Sequence, residues 1–149
     1  MSKPKATTKN KQVTDIMKFK EYVIKILNGM QSYMCLLEYT LEIEFPKVDN
    51  NGAFAEIKTD VVYFNVNIKI YPVTKKLYEQ KKYFQVFSYL VHELCHILIE
   101  PMSQELSKYL VKGENNDLLE DVTERQTQRI AIAISRNVKE YVWNPEYGE

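Results

Sequence analysis

The stretch Tyr89-Leu90-Val91-His92-Glu93-Leu94-Cys95-His96-Ile97-Leu98 constrains this chain more than any other, because it must form a helix and must also place three chemical groups together. No Pro or Gly interrupts it. Residues four apart lie one above the other on the same face of an α-helix, so His92 and His96 can send ring nitrogens to one point. Glu93 follows the first imidazole directly and lands beside that point. These two histidines are the only ones among 149 residues, which is not how a chain uses histidine as scattered filler.

Phe84, Phe87, Val91, Leu94, Cys95 and Leu98 recur at helical spacing and predict one apolar stripe, with both histidines on its flank at the edge of a cleft. Two imidazoles at this spacing around a Glu are a metal-binding pattern, with the carboxylate as a general base rather than a ligand. A catalytic zinc ion takes three protein ligands and keeps one position open. The third must come from later in the chain, where no histidine follows and a carboxylate is the expected donor. The second long helical stretch, Asp117 to about Tyr141, offers Glu120 and Glu124, one turn apart. Glu124 is followed by Thr127, Ile130, Ala131 and Ile134, a set of small and apolar residues suited to close packing on the motif helix. Glu120 has the more polar companions Thr123, Gln126 and Thr127, so Glu124 is the expected third ligand and Glu120 the alternative the sequence does not settle.

With these residues in place, the chain resembles the gluzincin-type zinc metallopeptidases, in which H-E-x-x-H is completed by a Glu on a following helix. It resembles in particular the minimal single-domain versions and the small metallopeptidase-like proteins of phages and mobile elements. The resemblance rests on His92 to His96 and on Glu124 to Ala131. It implies zinc held by His92, His96 and Glu124, with Glu93 as the catalytic base in peptide hydrolysis, endopeptidase rather than exopeptidase. It further implies an edge strand that pairs with an extended substrate, for which the strand holding Asn65 and Asn67 is the candidate. The position four after Glu124, often an acid that supports a ligand histidine in that family, is Gln128, which leaves Glu120 as the acid for that task. An oxyanion donor is not obvious, and Tyr109 is one candidate among eleven tyrosines.

Taken in order, residues 1–13 read as a flexible basic tail, with Lys3, Lys5, Lys9 and Lys11 among polar residues. Thr14 to about Asn28 predicts a helix with Ile16, Phe19, Val23, Ile26 and Leu27 on one face. Cys35 to Phe45 predicts a strand, and Asn51-Gly52 a hairpin turn to a second strand over Ala53 to Lys58. Phe64 to Ile70 predicts a third. Thr74 is the expected N-cap of a helix running through the motif to Glu100, with an irregularity near Glu79 to Lys82 and a stop at Pro101. Residues 102–116 read as a connection with a short helix over Gln104 to Val111. The expected architecture is α+β: an N-terminal helix, an antiparallel sheet of about three strands, the motif helix and the glutamate helix. A single domain would cover residues 14–143, with 144–149 frayed.

Twenty basic and twenty acidic residues balance, so no net charge draws the chain to nucleic acid or anionic lipid. A DNA-associated metalloprotease of the SprT type would also need Cys pairs for a zinc ribbon, and only Cys35 and Cys95 exist, both expected as buried free thiols. No apolar run has the length of a membrane span, and the N-terminus lacks a signal-peptide core. The expectation is therefore a cytoplasmic protein acting on a peptide or protein substrate. The alternative is a metal-binding regulatory or interaction module of a phage or mobile element with little or no proteolytic activity.

Overall fold

A computed structural model describes residues 6–109 and 116–148. The chain runs α1 (Ala6–Tyr33), β1 (Thr40–Glu44), β2 (Ala55–Asp60), β3 (Asn65–Ile70), α2 (Pro72–Glu79), α3 (Tyr83–Ser107), α4 (Asn116–Asn137) and α5 (Glu140–Trp143). This is the expected α+β architecture with a three-stranded sheet. Its core lies between two layers. Phe19, Val23, Ile26, Leu27 and Met30 of α1 and Val86, Phe87, Leu90, Val91 and Leu94 of α3 are buried against Val66, Ile68 and Ile70 of β3. Helix α4 packs along the other side of α3, through the buried Thr127 and Ala131 and the half-buried Ile130 and Ile134.

The sheet is mixed rather than antiparallel. Strand order is β1-β3-β2, with β3 parallel to β1 and antiparallel to β2. The Asn-Gly turn does form, with positive φ at Asn51 and Gly52 and Ala53 N–H donating to Asn50 C=O, yet β1 and β2 are not neighbours. The central place goes to the strand whose inward residues are the most apolar. Val66, Ile68 and Ile70 are fully buried, while β1 and β2 alternate with charged residues that suit exposed edges. The hairpin is instead β2–β3, turned at residues 61–64, where the Asp60 carboxylate accepts from the Val62 and Tyr63 amides.

Several boundaries differ from the sequence reading. Helix α1 starts at Ala6, so residues 6–13 of the expected tail are helical, and residues 1–5 lie outside the described residues. Cys35, expected inside a strand and buried, is exposed with φ of 58° in the turn after α1. The motif helix is broken where irregularity was expected: α2 ends at Glu79, Lys81 has φ of 58°, and α3 begins at Tyr83. Thr74 is not a cap. It lies buried within α2 behind Pro72, and its hydroxyl donates to Phe54 C=O.

Pro101 does not end α3, which continues to Ser107. Proline removes one i to i−4 bond, but the following turn is held by Gln104 Nε2 donating to Glu100 and by Ser103 Oγ, 3.3 Å from Thr123 Oγ1 of α4. Gln104 to Ser107 thus extend α3 instead of forming a separate helix, and residues 110–115 of the connection lie outside the described residues. At the C-terminus, α4 stops at Asn137 and a short α5 follows. Tyr22 OH donates to Trp143 C=O at 2.7 Å, and Glu146, expected to be frayed, accepts from Tyr83 OH at 3.1 Å and lies 2.8 Å from Lys81 Nζ. No helix among the described residues is long and apolar enough to cross a membrane.

The two thiols should behave differently. Burial pushes the Cys95 thiol up to about 12, whereas Cys35 is open to solvent. Because the thiolate is the reactive form, Ellman's reagent at pH 8 should titrate one thiol rapidly in the native protein and two in denaturant. The raised folded value also sets a sign. Stability from keeping Cys95 protonated is complete below the ordinary thiol value of about 8.5 and is lost as pH rises towards about 12. Rapid native labelling of both thiols would contradict this packing.

Candidate metal centre

Helix α3 positions three of the four residues of interest because its buried side faces both layers of the core. Leu90, Val91, Leu94 and Cys95 are buried, which fixes the rotation of the helix and leaves His92, Glu93 and His96 half-buried towards a cleft. The buried stripe is shifted from the expected one. Phe84 (42 %) and Leu98 (44 %) are exposed, while Val86, Leu90 and Ile97 are buried in the core cluster.

Helix α4 brings Glu124 into the same place. Its Oε1 lies 3.0 Å from His92 Nε2 and its Oε2 lies 3.5 Å from His96 Nε2, while the two imidazole nitrogens are 3.2 Å apart. One ligand atom from each of the three residues lies within 4.8 Å of the others, a grouping that a shared ion could draw together. Two ligand atoms at about 2.05 Å from zinc in tetrahedral arrangement are about 3.3 Å from one another. Burial, followed by the neighbouring His92, holds His96 below the ordinary histidine value against the opposing pull of Glu124 and Glu100. That favours the neutral imidazole, the form that ligates metals. By spacing, charge and donor type, the group fits zinc, and among the described residues it is the group that could hold a metal ion.

The cleft has a volume of about 460 Å³ and is lined by Ala55 to Thr59 of β2, by His92, Glu93, His96 and Glu100 of α3, and by Glu124. Phe54, just before β2, stacks on Tyr89 with ring centroids 4.1 Å apart, which ties the start of the strand to the motif helix. Burial first, and then the carboxylates of Glu124 and Glu56, push the Glu93 carboxyl up to about 7. Glu93 lines the same cleft and is not one of the three residues grouped as a candidate metal site.

Of the residues singled out from sequence, the structure brings together His92, Glu93, His96 and Glu124. It does not bring in Glu120 or Tyr109, both of which are exposed and outside the cleft lining. Gln128 lies in a separate hollow with Ser88 and Ala131. The Nδ1 of His92 is buried without a hydrogen-bond partner, so Glu120 does not stand behind it. The edge of the sheet at the cleft is β2, and the strand of Asn65 and Asn67 is the central one. Sequence reasoning missed β2 and Glu100 as cleft residues. Glu100 carried a signal, being one more turn along the face of His92 and His96, whereas β2 carried none.

In comparisons with known proteins, the chain matches no family model, no curated protein and no solved structure.

Proposed function

We propose that the protein is a zinc-dependent metallopeptidase, with zinc held by His92, His96 and Glu124 and with Glu93 as the general base. The observation that supports this most strongly is the grouping of His92, His96 and Glu124, with one ligand atom of each within 4.8 Å of the others, and with Glu93 in the same cleft. Bound zinc would polarise the scissile carbonyl and acidify water from a pKa of about 15.7 towards roughly 7. Glu93 takes the proton from the attacking water and returns it to the leaving amine. The edge of β2 supplies backbone N–H and C=O groups to an extended peptide, a mode of recognition in which the backbone gives affinity and alternate side chains give specificity.

The test is metal analysis of the purified protein beside two variants. Wild type and Glu120→Ala should each carry one zinc per chain, and Glu124→Ala and His96→Ala should lose it. Failure of the wild-type protein to retain zinc when supplied with it would sink the proposal. A metal-binding interaction module is the second reading. It is favoured by the cleft lining, which among the described residues includes no tyrosine or third imidazole to stabilise an oxyanion.

A further inference from the structure

The outer face of the sheet carries rows of side chains that change charge from strand to strand and end at an unpaired edge. Across β1, β3 and β2 the register aligns Glu44, Lys69 and Glu56 in one row. The next row is Glu42, Asn67 and Lys58. Alternate residues of a strand share a face, and in β2 Glu56 and Lys58 are exposed while Ala55, Ile57 and Thr59 are half-buried. Five consecutive residues of β2 line the cleft. Residues from both faces of a strand can do so only if the cleft runs along the strand's edge, and β2 is the last strand of the sheet. Nor is Glu56 a loose surface group. The hydroxyl of the buried Tyr71 donates to its Oε2 at 2.6 Å, and Asn50 Nδ2 lies 3.4 Å from the same oxygen. Part of the entropy of ordering this carboxylate is thereby spent before any ligand arrives.

We propose that β2 selects an extended peptide running antiparallel to it, with an acidic side chain opposite Lys58 and a basic one opposite Glu56. Read from N to C, the bound segment is acid, any residue, base. The inference rests on the peptide-cleaving reading of this cleft and specifies its substrate class. Antiparallel pairing is the more stable ladder per residue. Directly opposed unlike charges stabilise a pair of strands and like charges destabilise it. A fourth strand with this pattern continues the alternation of the first row and opposes Lys58 in the second. Glu100, on the other wall of the cleft, accepts from Gln104 and belongs to neither row.

The experiment uses two fluorescein-labelled nonapeptides of identical composition, Val- and Thr-rich, with Glu-Thr-Lys or Lys-Thr-Glu at the centre. Each is titrated by fluorescence anisotropy against the full chain carrying Glu93→Gln, supplied with zinc, so that binding is read without turnover. The Glu-Thr-Lys peptide should bind roughly three- to tenfold more tightly, from two pairs of unlike charge replacing two of like charge. Adding Glu56→Lys and Lys58→Glu together, both at exposed positions, should reverse the preference. Equal affinity for the two peptides, or a preference that survives the charge swap, overturns the inference and leaves the peptidase reading standing. Absence of binding by either peptide also overturns it, and zinc content with Glu93-dependent hydrolysis then decides the peptidase reading separately.

Discussion

Glu93→Gln should lower peptide hydrolysis by roughly 10²- to 10⁴-fold while zinc content stays at one per chain. The amide has nearly the shape of the carboxylate and fits the same half-buried place in α3, so the helix and the ligand cluster should be undisturbed. What it lacks is the capacity to take a proton from water. The loss corresponds to about 3 to 5 kcal/mol of transition-state stabilisation. His96→Ala or Glu124→Ala should abolish activity by a different route, through loss of the metal. Elemental analysis beside the rate therefore separates the two causes. A Glu93→Gln protein that hydrolyses peptide at the wild-type rate would remove Glu93 from the mechanism. A biological effect that persists with hydrolysis abolished would favour the interaction-module reading.

Phe87→Ala should destabilise the protein by about 3 to 5 kcal/mol, against roughly 1 kcal/mol for Phe84→Ala. Both lie on α3 and both belong to the stripe expected from sequence. Phe87 is fully buried between the layers, while Phe84 is 42 % exposed and meets Trp143 at 5.2 Å between ring centroids. Truncating Phe87 removes its burial and leaves a cavity in a tightly packed interior. The cost is a large part of the 5 to 15 kcal/mol available to an ordinary domain. It falls on the helix that carries His92, Glu93 and His96, so affinity for zinc should weaken at temperatures where the variant begins to unfold. Urea denaturation followed by far-UV circular dichroism checks the contrast. Equal midpoints for the two variants would mean that α3 is rotated from the orientation described.

The residues of the site were legible in the sequence because they are local. His92, Glu93 and His96 are set by the period of one helix, and no tertiary arrangement with that helix intact can separate them. Glu124 was legible less directly, through Thr127 and Ala131, small residues of the kind needed where two helices approach closely; both are buried in the structure. The α+β class followed similarly from a change of period, from two along the strands to 3.6 along the helices.

Strand order was decided only by tertiary structure. The Asn51-Gly52 turn is a strong local signal for a hairpin, and locally it forms. Which strand stands beside which is settled by how much apolar surface each can bury, and that favoured β3 as the centre with β2 as the edge. The same holds for Pro101, whose lost hydrogen bond is a local cost, while the continuation of α3 to Ser107 depends on contacts with α4 twenty residues further on. Periodicity along one helix or strand determines which residues can share a face. Only the packing of distant segments determines what that face meets, which is why the grouping of His92, His96 and Glu124 could be read from the chain and the strand along its cleft could not.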